Sequence, residues 1–320
     1  MENILKVENL QIRYVSGKKS VIAVDKMDFS LKKGEILGVV GESGCGKSTM
    51  IRAILKLYDD NITKISSGHI YFDGIDIIKA SRKDIRTIRG NKIAMIFQNP
   101  LSALDPVYTI GKQIEEVILE HQKISKKEAK EKVIELLKKV HIPSPEIRYN
   151  DYPHQMSGGM QQRVVIAIAL ACNPQIIIAD EPTTALDVTV QAQILDLLKE
   201  LNENHGISII IITHNLGVVA QLCTKTMVMY GGTQIEYGDT RDILLSPKHP
   251  YTQGLIKAIP SVSEDVECLH SIEGTIPTFY NEIHECRFSG RCNKCIEKCK
   301  QGEPELEEIA EGRKVRCIQI

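Results

Sequence analysis

Residues 36–48 read ILGVVGESGCGKS, an apolar run that passes directly into glycines, a lysine and a serine. Ile36–Val40 is too short for a helix and continuously apolar, the pattern of a strand buried on both faces of a parallel sheet. Gly41 to Ser48 fits the phosphate-binding pattern G-x-x-x-x-G-K-[ST], and the stretch TMIRAILKLY (49–58) continues it as a helix. Strand, loop and helix in this order make an anion site. Glycines let backbone N–H groups close around phosphate oxygens at a helix N-terminus, Lys47 reaches the β- and γ-phosphates, and the Ser48 hydroxyl can ligate Mg²⁺. The loop alone fits many nucleoside triphosphatases.

Outward from this loop, three further runs have the same buried-strand character: KIAMIFQ (92–98), IIIAD (176–180) and SIIIITH (208–214). Residues 4–14 and 21–34 instead alternate apolar and polar side chains, with Leu5 and Val7, then Met27, Phe29 and Leu31, as half-buried antiparallel strands do. Two helices are predicted from apolar spacing. One covers residues 189–204 through Val190, Ile194, Leu197, Leu198 and Leu201 and stops at Gly206; the other covers 126–140 through Val133, Leu136, Leu137 and Val140. Between the second and third buried strands, residues 99–172 carry helical periodicity and no strand signal, so a helical subdomain is expected within an α/β core. Past residue 240 the composition shifts to Pro, Cys and charge, and a boundary is placed there.

With 320 residues, 42% hydrophobic and 25% charged side chains and a net charge of −1, the chain has the composition of a soluble globular protein and no basic excess pointing to nucleic acid. No stretch approaches the roughly 18 to 20 apolar residues of a membrane span, and MENILKVENL is not a signal peptide, so a cytosolic location is expected. Nine cysteines in that compartment argue against a disulfide framework.

Two more segments carry chemistry. Asp180 and Glu181 end the buried run 176–180; one carboxylate there can hold Mg²⁺ and its neighbour can polarise an attacking water. Glu181-Pro182 is also a turn signal, so it is the conjunction with the phosphate loop that makes these acids catalytic candidates. Met156-Ser157-Gly158-Gly159-Met160 precedes the helical stretch MQQRVVIAIALA, with Ser157 placed to cap it, and makes a second potential anion site.

In order and spacing these segments resemble the ATPases of ABC transporters. Tyr14 is similar to the aromatic that stacks on adenine, residues 41–49 to the P-loop, Gln98 to the Q-loop glutamine, Ser157–Met160 to the signature motif, Ala185-Leu186-Asp187 to the D-loop and His214 to the switch histidine. Met160 departs from the glutamine that many members carry, so Ser157, Gly158 and Gly159 hold the motif. The resemblance implies a P-loop NTPase α/β core with an antiparallel β subdomain, an inserted α-helical subdomain (about 99–172) and a small Cys-rich C-terminal region, divided as a nucleotide-binding domain 1–240 and an extension 241–320. It further implies that Tyr14, Gly41, Glu42, Ser43, Gly44, Cys45, Gly46, Lys47, Ser48, Thr49, Gln98, Ser157, Gly158 and Gly159 bind ATP. Ser48, Gln98 and Asp180 would ligate Mg²⁺, while Glu181, His214 and Lys47 would be catalytic. In the family two ATPase subunits pack head to tail, each ATP held between the P-loop of one and the signature motif of the other.

Gln98-Asn-Pro-Leu-Ser-Ala-Leu-Asp-Pro, Gly158-Gly-Met-Gln-Gln-Arg and His249-Pro-Tyr-Thr-Gln-Gly-Leu resemble the oligopeptide and dipeptide importer branch, and its first ATPase of two in particular. This implies a second ATPase subunit, two integral membrane permeases, an extracytoplasmic solute-binding protein, no nucleic acid, and a peripheral position on the cytoplasmic face of the membrane. The alternative is a soluble ABC ATPase acting on ribosomes or DNA.

Cys286-x5-Cys292-x6-Cys299-x17-Cys317 gathers four thiols, with Cys295 a fifth. Such density in a cytosolic chain points to a metal, and the flanking Arg287, Arg291, Lys294, Lys298 and Lys300 are expected to favour thiolates. Zinc suits four thiolates, although only Cys292 and Cys295 supply its usual Cys-x2-Cys knuckle. The importer branch shares the x5, x6 spacing, which implies a 4Fe–4S cluster on Cys286, Cys292, Cys299 and Cys317, with zinc and free thiols as the other readings. Cys45 is read as a small residue tolerated in the P-loop or an oxidation site, and Cys172, Cys223 and Cys268 as packing residues.

Overall fold

The computed structural model describes residues 2–17, 19–184, 186–258, 272–280 and 283–320. They form two compact units: Glu2–Lys32 with Ile36–Ile78 and Ile212–Ile320, and Lys33–Glu35 with Lys79–Ile211.

The chain begins with the antiparallel pair β1 (Asn3–Ser16) and β2 (Lys19–Lys32), in register at Leu5↔Leu31 and Val7↔Phe29. Strict alternation would turn Leu10 and Ile12 away from the face that buries Leu5 and Val7. A bulge between Val7 and Leu10 corrects this by one residue, with Asn9 at φ 43°, and all four side chains are buried. β3 (Ile36–Val40) is buried along its whole length, as its apolar run requires. The helix after the phosphate loop, α1 (Lys47–Ile54), is shorter than the predicted 49–58 because Lys56 turns to φ 52° and Leu57 N–H donates back to the Arg52 carbonyl at 2.7 Å. β4 (Thr63–Phe72) and β5 (Ile75–Asp76) then complete an antiparallel sheet of order β2-β1-β4-β5.

The second unit follows with α2 (Arg82–Ile88), β6 (Ile93–Ile96), α3 (Pro100–Ala103), α4 (Ile110–His121), α5 (Lys126–Lys139), α6 (Pro145–Arg148), α7 (Gly158–Leu170), β7 (Ile176–Asp180), α8 (Val188–His205) and β8 (Ser208–Ile212). Its strands lie in the order β8-β7-β6, with β6 and β7 parallel from Ile93↔Ile176 to Ile96↔Ala179. Caps fix the helix starts. Ser125 accepts from Glu128 N–H while Glu128 reaches back to Ser125 N–H, a reciprocal capping box, and Asp187 accepts from Val190 N–H at 2.9 Å. Gly206, at φ 64°, closes α8. α7 is buried around most of its circumference and forms the hub on which α3, α4 and α5 pack.

The first unit resumes with α9 (Leu216–Leu222), β9 (Lys225–Tyr230), β10 (Thr233–Asp239), α10 (Thr240–Leu245), α11 (Pro250–Lys257), β11 (Glu307–Ala310) and β12 (Arg313–Val315). Here the order is β11-β12-β10-β9-β3; β3 and β9 run parallel, and the other neighbours are antiparallel. α9 approaches β3 closely enough that a Cβ on Gly38 would stand 2.9 Å from Cys223 Sγ, so Cys223 is a packing group. The tail that sequence composition marked only by Pro, Cys and charge therefore contains a hairpin, β11–β12, paired onto β10.

Candidate functional site

The phosphate loop is held open by two glycines whose missing side chains are required. A Cβ on Gly41 would meet the Met229 carbonyl at 2.3 Å, and one on Gly46, at φ 104°, the Ala23 carbonyl at 2.4 Å. Both obstacles are backbone and cannot swing aside. Lys47 is 6% exposed and folds back over the loop, its Nζ donating to the carbonyls of Gly41 at 2.6 Å and Glu42 at 2.9 Å. Ser43, Gly44 and Ser48 are exposed at the loop's mouth, and Gly46 is the residue from which α1 starts. The Tyr14 hydroxyl is hydrogen-bonded to Thr49 Oγ1 at 2.8 Å, fixing a half-buried ring beside the loop. Thr213 N–H donates to the Val39 carbonyl at 3.2 Å, so His214, the next residue and exposed, stands at the end of β3 that enters the loop.

Cys45 is fully buried inside this loop. Its thiol is pushed up by burial, against the lowering influence of Lys47, which favours the tolerated small residue over the oxidation site.

In the other unit Gln98 and Glu181 come together. Gln98 Nε2 donates to Glu181 Oε2 at 2.8 Å, and the Thr184 hydroxyl donates to the same oxygen at 3.0 Å. Glu181 lies at φ 47°, a left-handed backbone uncommon for a side chain of this kind, directly after Asp180 at the end of β7. Ser157 caps α7, its Oγ accepting from Met160 N–H at 3.4 Å. Gly159 cannot be larger, since a Cβ would lie 2.6 Å from Val190 Cγ1, and Gly158 faces Leu186. Within the predicted D-loop, Asp187 is the cap of α8, whereas Ala185 lies outside the described residues, as does Cys268.

The cysteine tail differs from expectation in two respects. Cys286, Cys292, Cys299 and Cys317 do line one cavity, together with His249 and Phe288. Among the described residues, however, no three of His, Cys, Asp and Glu form a group that could hold a metal ion, these four included. At these thiols burial outweighs the basic neighbours. Burial pushes the Cys286 thiol up to about 11 and raises those of Cys292 and Cys317. The guanidinium groups expected to oppose this are engaged elsewhere: Arg287 pairs with Asp25 and with Glu303, and Arg291 with Glu42 at 3.0 Å.

Those two arginines are the part of the site that sequence reasoning missed. Arg291 Nη1 reaches the carboxylate of the P-loop residue Glu42, and the Tyr251 hydroxyl accepts from Glu42 N–H at 2.9 Å. Arg287 Nη1 donates to the Gly231 carbonyl at 2.6 Å, and the following Gly232 N–H donates to the Cys45 carbonyl at 3.0 Å. The signal in the sequence is a basic residue beside each cysteine of the C-terminal cluster, and a role at the sulfur accounts for it equally well.

Residues 24–184 match the family described as ABC transporter, and residues 235–299 match the oligopeptide/dipeptide transporter C-terminal region. The chain is 45% identical over 318 residues to the oligopeptide transport ATP-binding protein AppD of Bacillus subtilis, covering 99% of this chain and 97% of that one. It is 43% identical to the dipeptide transport ATP-binding protein DppD of Escherichia coli, with 98% and 96% covered. Among solved structures, the ATP-binding cassette MJ0796, a dimer in a post-hydrolysis state bound to ADP and Pi, superposes with a TM-score of 0.66 at 32% identity, covering 74% of this chain and 99% of that one.

Proposed function

The chain belongs to the ABC transporter ATP-binding family, and from that membership we propose that it binds and hydrolyses ATP to power the import of oligopeptides or dipeptides through a separate permease. The observation that carries this reading is end-to-end similarity to AppD and DppD, which spans the phosphate loop and the C-terminal region alike. Because those relatives are peptide transport proteins over the whole length of this chain, the importer is favoured over an ATPase acting on ribosomes or DNA.

Among the described residues no helix is long and apolar enough to cross a membrane. From the likeness to peptide importer ATPases, the transport path is assigned to two permease subunits, with an extracytoplasmic binding protein delivering solute and this chain docked peripherally on the cytoplasmic side. A second ATPase subunit completes each nucleotide site by presenting its own signature residues, as Ser157, Gly158 and Gly159 do here.

Within that assembly the P-loop glycines and α1 receive the phosphates, Tyr14 faces the adenine and Lys47 exchanges its loop carbonyls for phosphate oxygens. Bound Mg²⁺ would neutralise charge that develops on the phosphates, and Ser48, Gln98 and Asp180 are the residues that would hold it. Glu181 accepts a proton from the attacking water as its oxygen bonds to the γ-phosphorus and the bond to ADP breaks; His214 steadies the γ-phosphate. The oriented Glu181 carboxylate, hydrogen-bonded by Gln98 and Thr184, suits a base that must be held in one direction.

For the cysteine cavity we propose a 4Fe–4S cluster on Cys286, Cys292, Cys299 and Cys317, with zinc as the alternative; as they stand these thiols are not grouped for a metal ion, so binding would require them to converge. Four sulfur donors on one cavity support the donor chemistry. The experiment for the transport reading is co-expression with the neighbouring permease genes, followed by peptide uptake into vesicles loaded with ATP. Uptake that requires this chain is the expected result, and ATP hydrolysis indifferent to permease and peptide would overturn it.

A further inference from the structure

We propose that Arg291 is a positioning residue for nucleotide binding, acting through Glu42 to set the phosphate loop from the cysteine-rich tail; the proposal rests on the reading that this loop binds ATP. The two residues are separated by 249 positions in the chain, and their ion pair is largely removed from water, with the arginine side chain 8% and the glutamate 29% exposed. Removing one partner of a pair screened in this way leaves the other charge uncompensated, which costs more than losing a pair on open surface.

Besides the turn hydrogen bond from Cys45 N–H to its carbonyl at 3.3 Å, Glu42 is fastened at three points. Its N–H donates to the Tyr251 hydroxyl, its carbonyl accepts from Lys47 Nζ, and its carboxylate accepts from Arg291. One of these partners, Lys47, must leave for phosphate when nucleotide binds. The other two come from the C-terminal part of the chain, and they keep Glu42 in place while Lys47 moves. Arg291 is itself immobilised: Nε donates to the Glu273 carbonyl at 2.8 Å, Nη2 to the Ile272 carbonyl at 3.1 Å, and its guanidinium lies 5.7 Å from the centre of the Tyr230 ring. Tyr230 packs edge-on against Tyr251 at 4.8 Å and against Phe288 at 5.1 Å. The loop from Cys286 to Cys292 thus carries both Phe288 and Arg291, and any movement of it is transmitted to the residue that opens the phosphate cradle.

Charge makes the arrangement consequential. An uncompensated carboxylate at the second position of a phosphate loop repels the polyphosphate that the loop is built to receive, and Arg291 cancels that repulsion without placing its own charge in the cradle. Removing the arginine should therefore weaken ATP binding, and removing the carboxylate as well should remove the reason for the loss.

The test uses the full chain, with ATP binding measured by calorimetry and steady-state hydrolysis measured in parallel. R291M is expected to raise the Kd and KM for ATP by about tenfold with kcat nearly unchanged, and R291K to fall between it and the unaltered chain. In an E42Q background R291M should cause no further loss. An unchanged Kd in R291M, or losses from R291M and E42Q that simply add, would overturn the proposal. Should R291M fail to fold, E42Q and R291K carry the same test, since a positioning role predicts that R291K has no effect once Glu42 is glutamine. If the unaltered chain does not bind ATP, it is the underlying functional reading that fails, and this one with it.

Discussion

Gln98 holds Glu181 by a single 2.8 Å hydrogen bond from its side-chain amide to Oε2, and the carboxylate sits on a left-handed backbone that few glutamates adopt. A residue kept in such a conformation by its neighbours is a directed group. Glu181→Gln keeps the size and the possibility of that hydrogen bond while removing the proton acceptor. Hydrolysis should fall by about 10²- to 10⁴-fold while ATP still binds and still closes the pair of ATPase subunits. Phosphate release and size-exclusion chromatography with ATP check both halves, and undiminished turnover would remove Glu181 as the base.

Gly46→Ala should damage nucleotide binding without unfolding the chain. The new methyl would meet the Ala23 carbonyl at 2.4 Å on a backbone at φ 104°, so the loop must shift to admit it. Strain of this kind corresponds to a loss in ATP affinity of about tenfold or more. Equilibrium binding together with circular dichroism decides the matter; native affinity in the variant would show that the loop's conformation is not what binding requires.

Gly111→Ala tests packing away from the nucleotide. Its Cβ would lie 2.3 Å from the Tyr149 ring, which α4 accommodates because no side chain is present there. Overpacking predicts a loss of about 1–3 kcal/mol in urea denaturation, and a smaller loss when Gly111→Ala is added to Tyr149→Ala and compared with Tyr149→Ala alone. An equal loss from Gly111→Ala with and without Tyr149 would place the cause in the backbone of α4.

Cys45 should resist alkylation in the native protein. Burial raises its pKa, which reduces the thiolate fraction near neutral pH, and the side chain is inaccessible besides. Iodoacetamide labelling followed by mass spectrometry is expected to run about tenfold or more slower than at a free exposed thiol. Rapid labelling would restore the oxidation-site reading.

Protein isolated without oxygen should contain iron and acid-labile sulfide, with visible absorption that bleaches on reduction and disappears in Cys286→Ser and Cys299→Ser. Colourless protein with stoichiometric zinc would reassign the cavity.

The local elements were legible because local chemistry decides them. Continuous apolar runs became β3, β6, β7 and β8; Ser157 became a cap; Gly206 ended α8. The bulge at Asn9 was hidden because alternation on either side of it looks regular, and one extra residue is visible only when Leu10 must share a face with Leu5. Arg291 and Glu42 could not be paired from sequence, since no periodicity links residues so far apart, and a basic residue next to cysteine has an obvious but different explanation. The hairpin β11–β12 escaped for another reason. Residues 307–310 are all exposed, so no buried face left the alternating signature by which strands are recognised.

That hairpin also has a bearing on how the protein survives in a crowded solution. Without β12, strand β10 would end the sheet with a row of unpaired peptide groups, an invitation to any extended chain nearby. With it, the terminal strand is β11, four residues long and opened by Glu307 and Glu308, too short and too negatively charged to template another. A chain cut short before Glu307 would keep its phosphate loop yet expose a sticky border, so the last residues guard solubility.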